Sequence, residues 1–100
     1  MALDRKLAII DLSTGKIETK VIPLDLRKKF LGGRALDAYL LYNHTKKGCD
    51  PLGPGNTLLI SGGILTATCD SATARTHFMA KSPLTGLLGS ANMGGFFAPD

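Results

Sequence analysis

Tryptophan is absent from this chain, and its aromatics stop at two tyrosines and four phenylalanines. That scarcity bears directly on the basic clusters Arg5-Lys6, Arg27-Lys28-Lys29 and Lys46-Lys47, which contribute to a net charge of +4. Nucleic-acid binding calls for a basic stripe with stacking rings set into it. None interleaves here, so the clusters read as a solvated face and no nucleic acid is expected as a partner. Long apolar runs are missing too. Nothing approaches the roughly 18 residues of a bilayer-spanning helix, so no membrane is expected. Asp4, Arg5 and Lys6 arrive before any apolar leader segment could form, and a cytoplasmic location is the expectation.

Cysteine is scarce in a way that excludes two further classes. Cys49 and Cys69 are the only two. They stand too far apart for a Cys-x-x-Cys motif and are too few for a disulfide scaffold. Reduced, partly buried thiols are expected. Grouped with His44 and His77, they still lack the paired short spacing of a structural zinc site. Asp37 and Asp50 could be drawn as an acid/base pair, but nothing in the sequence fixes them together. A helix face and a loop cap are their expected places.

Glycine, by contrast, is abundant: 12 residues in 100, against an average of about 7%. Backbone geometry therefore matters in this chain, whose length has one domain as its ceiling. The spacing predicts a hairpin first. Leu7-Ala8-Ile9-Ile10 is a short apolar run, residues 17–22 alternate with Glu18 and Lys20, and Ser13-Thr14-Gly15-Lys16 supplies the turn. Pro23 breaks the pattern. Residues 24–31 then read as a short helix closed by Gly32-Gly33. Residues 35–43 read as a second helix, with Leu36, Tyr39 and Leu40 on one face.

Proline and glycine mark residues 46–56 as a loop. Residues 57–61 read as a buried strand, bent by Gly62-Gly63. Residues 66–74 are small and polar, better suited to a loop over a ligand or under another domain than to a core. Residues 76–81 and 87–91 flank a turn as a second hairpin. The fold class that results is α+β, mostly antiparallel hairpins with two short helices.

The segment richest in chemistry runs from Arg75 through Lys81-Ser82-Pro83-Leu84-Thr85-Gly86 to Ser90-Ala91-Asn92-Met93-Gly94-Gly95-Phe96-Phe97. Pro83 presets a turn and Gly86 permits its exit. Gly94 and Gly95 lack Cβ atoms, so another group can approach the backbone closely. Asn92 tolerates left-handed geometry beside that opening. Arg75 is either a surface arginine covering strand residues or a fork that grips a phosphate. Turn chemistry alone would also account for Asn92, Gly94 and Gly95.

These pieces, taken in order, resemble the N-terminal domain of the tungsten-containing aldehyde:ferredoxin oxidoreductase family. Asp11-Leu12-Ser13-Thr14-Gly15 is similar to its opening hairpin. Phe30-Leu31-Gly32-Gly33-Arg34 with Ala38-Tyr39-Leu40-Leu41 is similar to its first helix pair. Asp50-Pro51-Leu52, Asn56, Leu58, Ser61, Leu65-Thr66, Arg75 and the two turns follow in register. Where the family usually carries proline at Ile64, and glycines near Ala67 and at Ala74, this chain departs from it. The two missing glycines would stiffen the loop before Arg75.

The resemblance implies a segment that holds a tungsten (or molybdenum) bis-pterin cofactor. Arg75 would contact a pterin phosphate, and Asn92, Gly94 and Gly95 would lie at pterin-binding positions. The main-chain oxygen of Asn92 would help hold the magnesium that bridges two pterin phosphates. The full family oxidises an aldehyde with water to a carboxylic acid and passes electrons through a 4Fe–4S cluster to ferredoxin. No ligand to that cluster and no catalytic residue is implied within this chain. Residues 1–100 would be the first part of the N-terminal domain, an incomplete cofactor cradle whose other partner is the remainder of the oxidoreductase chain or subunit. Standalone activity is not expected, and an unpaired strand edge would favour homo-oligomers. Two alternatives from other classes are a non-catalytic phosphate- or anion-binding module, and an assembly segment working in trans with a larger subunit.

Overall fold

The computed structural model describes residues 5–66, 68 and 73–97. Strands β1 (Lys6–Asp11) and β2 (Lys16–Val21) come first, followed by helices α1 (Leu24–Phe30) and α2 (Gly33–His44). Strands β3 (Leu59–Gly62), β4 (Thr76–Lys81) and β5 (Leu88–Met93) complete the order. The architecture is α+β, with β1 and β2 in one antiparallel hairpin and β3-β4-β5 in an antiparallel sheet of that order.

Local chemistry explains the first hairpin. The Asp11 carboxylate accepts the Ser13 N–H at 3.0 Å, and the Asp11 carbonyl accepts the Gly15 N–H at 2.8 Å. Gly15 sits at φ 71°, a left-handed conformation that glycine adopts without strain. The exposed Lys16–Glu18 pair at 3.4 Å contributes little in water.

The junction between the helices differs from the sequence expectation. Helix α1 stops at Phe30, because Leu31 turns to φ 61°, ψ −68° and the Gly32 N–H donates to the Phe30 carbonyl at 2.7 Å. This is a γ-turn of the strained, positive-φ kind. Gly33, at φ 58°, then opens α2 instead of closing α1. A Cβ on Gly32 would stand 3.3 Å from the Ile64 nitrogen, so the glycine pair lets α2 begin against the backbone of Gly62 and Gly63. The rings of Phe30 and Tyr39 stack at 4.6 Å and tie the two helices together.

Helix α2 packs on one face of the three-stranded sheet. Its 3.6-residue spacing turns Leu36, Leu40 and Leu41 inward, and they meet Met79 of β4 to form the buried apolar core. Tyr39, expected on that face, is 37% exposed and serves the α1 contact. Strand β3 lies at a sheet edge, which leaves Ile60 50% exposed where a buried strand was expected.

Asn56 extends the sheet with a side chain. Its carboxamide donates to the Lys81 carbonyl at 3.0 Å and accepts the Lys81 N–H at 3.2 Å, copying a strand's hydrogen-bond pair. The Lys81 ammonium reaches the Cys49 carbonyl at 2.8 Å and pins the loop of residues 46–56. Asp50 caps that loop by accepting the Leu52 N–H at 3.1 Å, the loop role expected for it. Of the loop expected over residues 66–74, positions 67 and 69–72, Cys69 among them, lie outside the described residues, as do Ala98, Pro99 and Asp100. Among the described residues, no helix is long and apolar enough to cross a membrane.

So small a core makes each member count. Leu40→Ala should lower the unfolding free energy by about 2–5 kcal/mol, read as an earlier urea midpoint. Leu84→Ala, at a turn position 92% exposed, should stay within about 0.5 kcal/mol. Equal shifts for the two would contradict the placement of the core.

Candidate functional site

Strand register decides which residues can act together. Thr76 pairs with Met93 and His77 with Asn92. Arg75 precedes Thr76 by one residue, and Gly94 follows Met93 by one, so both stand at the same end of the β4–β5 hairpin. Asn92 and Gly95 flank them. Arg75, Asn92, Gly94 and Gly95, scattered over 21 positions of sequence, are thus gathered on one rim, and all four are exposed.

The turn of residues 82–87 does not join them. It closes the far end of the hairpin, with the Ser82 N–H donating to the Leu87 carbonyl at 2.8 Å. Six strand residues intervene, a span of about 20 Å. Pro83 and Gly86 therefore shape the hairpin without reaching the rim.

Hydrogen-bond parity shows what the rim offers. Both main-chain groups of Lys81 face Asn56, on the β3 side of β4. Alternation along β4 then sends the N–H and C=O of His77 and Met79 toward β3, and those of Thr76, Phe78 and Ala80 toward β5. His77 and Asn92 consequently form a non-hydrogen-bonded pair. The N–H and C=O of Asn92 point away from β4, out of the open edge of the sheet. Among the described residues nothing pairs with this edge carbonyl, which can accept from a donor or bind a cation. Beside it, Arg75 makes no hydrogen bond or ion pair with any described residue.

The two glycines of the rim do different things. Gly95 sits at φ 98°, where a side chain is strained, so the backbone itself requires glycine. Gly94 has no positive φ, and a Cβ there would meet nothing within 4 Å. Its missing side chain leaves open space above the rim.

Behind the rim lies a cluster that the sequence did not assemble. Asp37 of α2 is 2% exposed, yet it carries a carboxylate into the core. The Ser61 hydroxyl donates to its Oδ2 at 2.7 Å, and His77 Nδ1 lies 2.8 Å from the same oxygen. Asp37 and Asp50 are not neighbours in any hydrogen bond; His77 is the partner of Asp37. His77 is the buried, hydrogen-bonded strand residue it was expected to be, although its Nε2 is enclosed and has no partner among the described residues. The Thr76 hydroxyl is likewise buried and unpartnered. Among the described residues, no group of three or more His, Cys, Asp or Glu could hold a metal ion. Arg34 is exposed in the first turn of α2 and makes no hydrogen bond or ion pair with any described residue.

Taken chemically, the rim presents one unpaired guanidinium, one outward carbonyl and an uncovered glycine backbone. A guanidinium pairs with phosphate through two parallel charge-assisted bonds. A hard cation such as magnesium takes oxygen ligands, main-chain carbonyls included. The residues present therefore fit a phosphate group with its bridging cation.

Comparisons with known proteins agree on one group. A family model described as "Aldehyde ferredoxin oxidoreductase, N-terminal domain" matches residues 7–100. The tungsten-containing aldehyde ferredoxin oxidoreductase of Pyrococcus furiosus is 42% identical over 91 residues, covering 91% of this chain and 15% of that protein. The protein of the same description from Thermococcus kodakarensis is 41% identical over 91 residues, with the same coverage. An aliphatic sulfonate oxidoreductase, WOR-like subunit, of Pyrococcus furiosus is 37% identical over 93 residues, covering 89% and 15%. Among solved structures, the active site complex BamBC of benzoyl coenzyme A reductase, in complex with 1,5 dienoyl-CoA, aligns with a TM-score of 0.88 at 33% identity. That alignment covers 94% of this chain and 14% of the other. The chain thus spans about 15% of the length of the curated relatives it matches.

The rim glycines give a test that needs no ligand. Gly95→Val should cost about 1–3 kcal/mol of stability, from forcing a β-branched residue to positive φ. Gly94→Val should stay within about 0.5 kcal/mol. Thermal unfolding of the two variants checks this, and a Gly94 variant as unstable as the Gly95 one would refute the open space above the rim.

Proposed function

The chain belongs to the aldehyde ferredoxin oxidoreductase N-terminal domain family, and we propose that it holds the phosphates of a tungsten or molybdenum bis-pterin cofactor in such an oxidoreductase. The observation that carries this reading is the rim itself: Arg75 without a partner and the Asn92 carbonyl pointing out, both at one end of the sheet. Arg75 grips a pterin phosphate. The Asn92 carbonyl oxygen would help to hold a magnesium ion beside the cofactor phosphates. Gly94, with nothing near its Cβ position, lets the cofactor approach the strand, while Gly95 holds the turn.

The relatives also argue for a shared task. They are named for an aldehyde, an aliphatic sulfonate and a benzoyl coenzyme A substrate. A segment common to all three supports what their chemistries share rather than what separates their substrates. Cofactor binding is such a task. When bound, the metal and its pterins supply the redox chemistry of the enzyme. This chain's residues bind and orient the phosphates, and none of the four rim residues carries a negative charge that would repel them.

Residues 1–100 form the first part of the N-terminal domain in this reading. The remainder of the oxidoreductase supplies the 4Fe–4S cluster, the aldehyde site and the surface that passes electrons to ferredoxin. A cytoplasmic enzyme is proposed on the same basis.

Arg75→Ala, in the oxidoreductase carrying this segment, should weaken pterin retention by on the order of 1.5–3 kcal/mol, the worth of a charge-assisted contact. Arg75→Lys should recover only part, because an ammonium cannot make the paired contact of the fork. Metal and pterin analysis of the purified enzymes measures both. Undiminished tungsten and pterin in the two variants would overturn the assignment.

A further inference from the structure

A buried carboxylate needs a reason, and Asp37 has one that concerns the rim. It faces the sheet from α2, in a helix whose other buried side chains are Leu36, Leu40 and Leu41. Replacing a buried polar cluster of this kind by apolar residues is often neutral or even stabilising. What such a cluster supplies is directionality: a hydrogen bond fixes a distance and an angle, whereas an apolar contact lets packed surfaces slide. The question is what the directionality holds in place.

Register answers it. Ser61, His77 and Asn92 form a single rung across β3, β4 and β5, because Ser61 pairs with His77 and His77 with Asn92. Two of the three bind the same Asp37 oxygen, at 2.7 and 2.8 Å. The third is the residue whose carbonyl leaves the sheet edge. Arg75 lies two residues before His77, immediately ahead of β4. In a non-hydrogen-bonded pair no main-chain bond joins the two residues directly, so side-chain packing across the rung has more to decide. The His77 ring stands there with Nδ1 held by Asp37 and Nε2 enclosed but unpaired.

We infer that Asp37, acting through Ser61 and His77, is a positioning residue for the cofactor rim, locking the Ser61–His77–Asn92 rung to α2 so that Arg75 and the Asn92 carbonyl are presented together. Asp37 touches no ligand. It supports the rung that carries the Asn92 oxygen without bonding that oxygen itself, and loss of outer support to a metal ligand typically lowers metal affinity roughly 10–100-fold. The inference rests on the cofactor reading above for its consequence, though not for its geometry.

Two replacements separate positioning from mere stability. In the combined variant Asp37→Leu, Ser61→Ala, His77→Leu, the polar cluster becomes apolar and no member of it is left buried and unpaired. In His77→Asn, a side-chain amide stands near the place of Nδ1 and can still donate to Asp37. The backbone amide signals of Arg75 and Asn92 are read by NMR in this 100-residue chain. Pterin content is read in the oxidoreductase carrying the segment.

The combined variant should unfold near the parent temperature, yet shift and broaden the Arg75 and Asn92 signals and lower pterin retention roughly 10–100-fold. His77→Asn should keep signals and pterin close to the parent. Should the combined variant fail to fold, His77→Leu against His77→Asn decides: disturbed rim signals in the first and parent-like signals in the second support the clamp, and equal behaviour overturns it. Unmoved signals with full pterin in the combined variant also overturn it. An Arg75→Ala enzyme that keeps its pterin would sink the cofactor reading instead, leaving the amide signals of this chain to judge the clamp alone.

Discussion

One buried carboxylate organises this chain. Asp37 brings an oxygen into an apolar interface, where an unpaired charge would be strongly unfavourable. It is tolerated because Ser61 and His77 meet it at hydrogen-bond distance from two different strands. The helix therefore docks on the sheet at one position along its axis and one rotation about it. Leu36, Leu40, Leu41 and Met79 supply the apolar burial that drives the docking. Their contacts alone would accept small slips of the helix. The carboxylate does not.

From that docking the rim follows by ordinary strand geometry. A strand alternates its side chains between faces and its main-chain groups between neighbours. Once Asn56 takes both main-chain groups of Lys81, every earlier residue of β4 has its direction set. His77 must present its side chain to α2 and its main chain to β3. Asn92, opposite, must present its carbonyl to the open edge. The direction of the Asn92 carbonyl on β5 thus depends on a side-chain amide and a two-residue period, while its position relative to α2 rests on the Asp37 cluster.

Much of this was legible in the sequence. Both hairpins, both helices and the order of elements followed from apolar spacing and turn residues, and helix and strand bounds moved by one or two residues. The rim residues were also visible as types: an arginine, an asparagine and a glycine pair. Their gathering was not legible, because it depends on the register of 76 with 93, which only the closed turn of residues 82–87 fixes. The same holds for the error about Gly32 and Gly33. A glycine pair after a helix ordinarily closes it, but here Leu31 makes the turn and the pair serves close packing against Gly62 and Gly63. Asp37 was legible in part. It falls on the same helical stripe as Leu36, Leu40 and Leu41, and an acid on such a stripe demands a partner. His77, in phase with Met79 on β4, was a partner that strand alternation could have nominated.

The rim as a phosphate-facing surface is the claim on which the functional account stands. A crystal structure of the oxidoreductase carrying this segment, with its cofactor bound, tests it most directly. The predicted result has the Arg75 guanidinium within about 3 Å of a pterin phosphate oxygen, and the Asn92 main-chain oxygen within about 2.2 Å of a bound magnesium ion. Arg75 and the Asn92 carbonyl both turned to solvent or to protein, with the cofactor phosphates held by other residues, would contradict it.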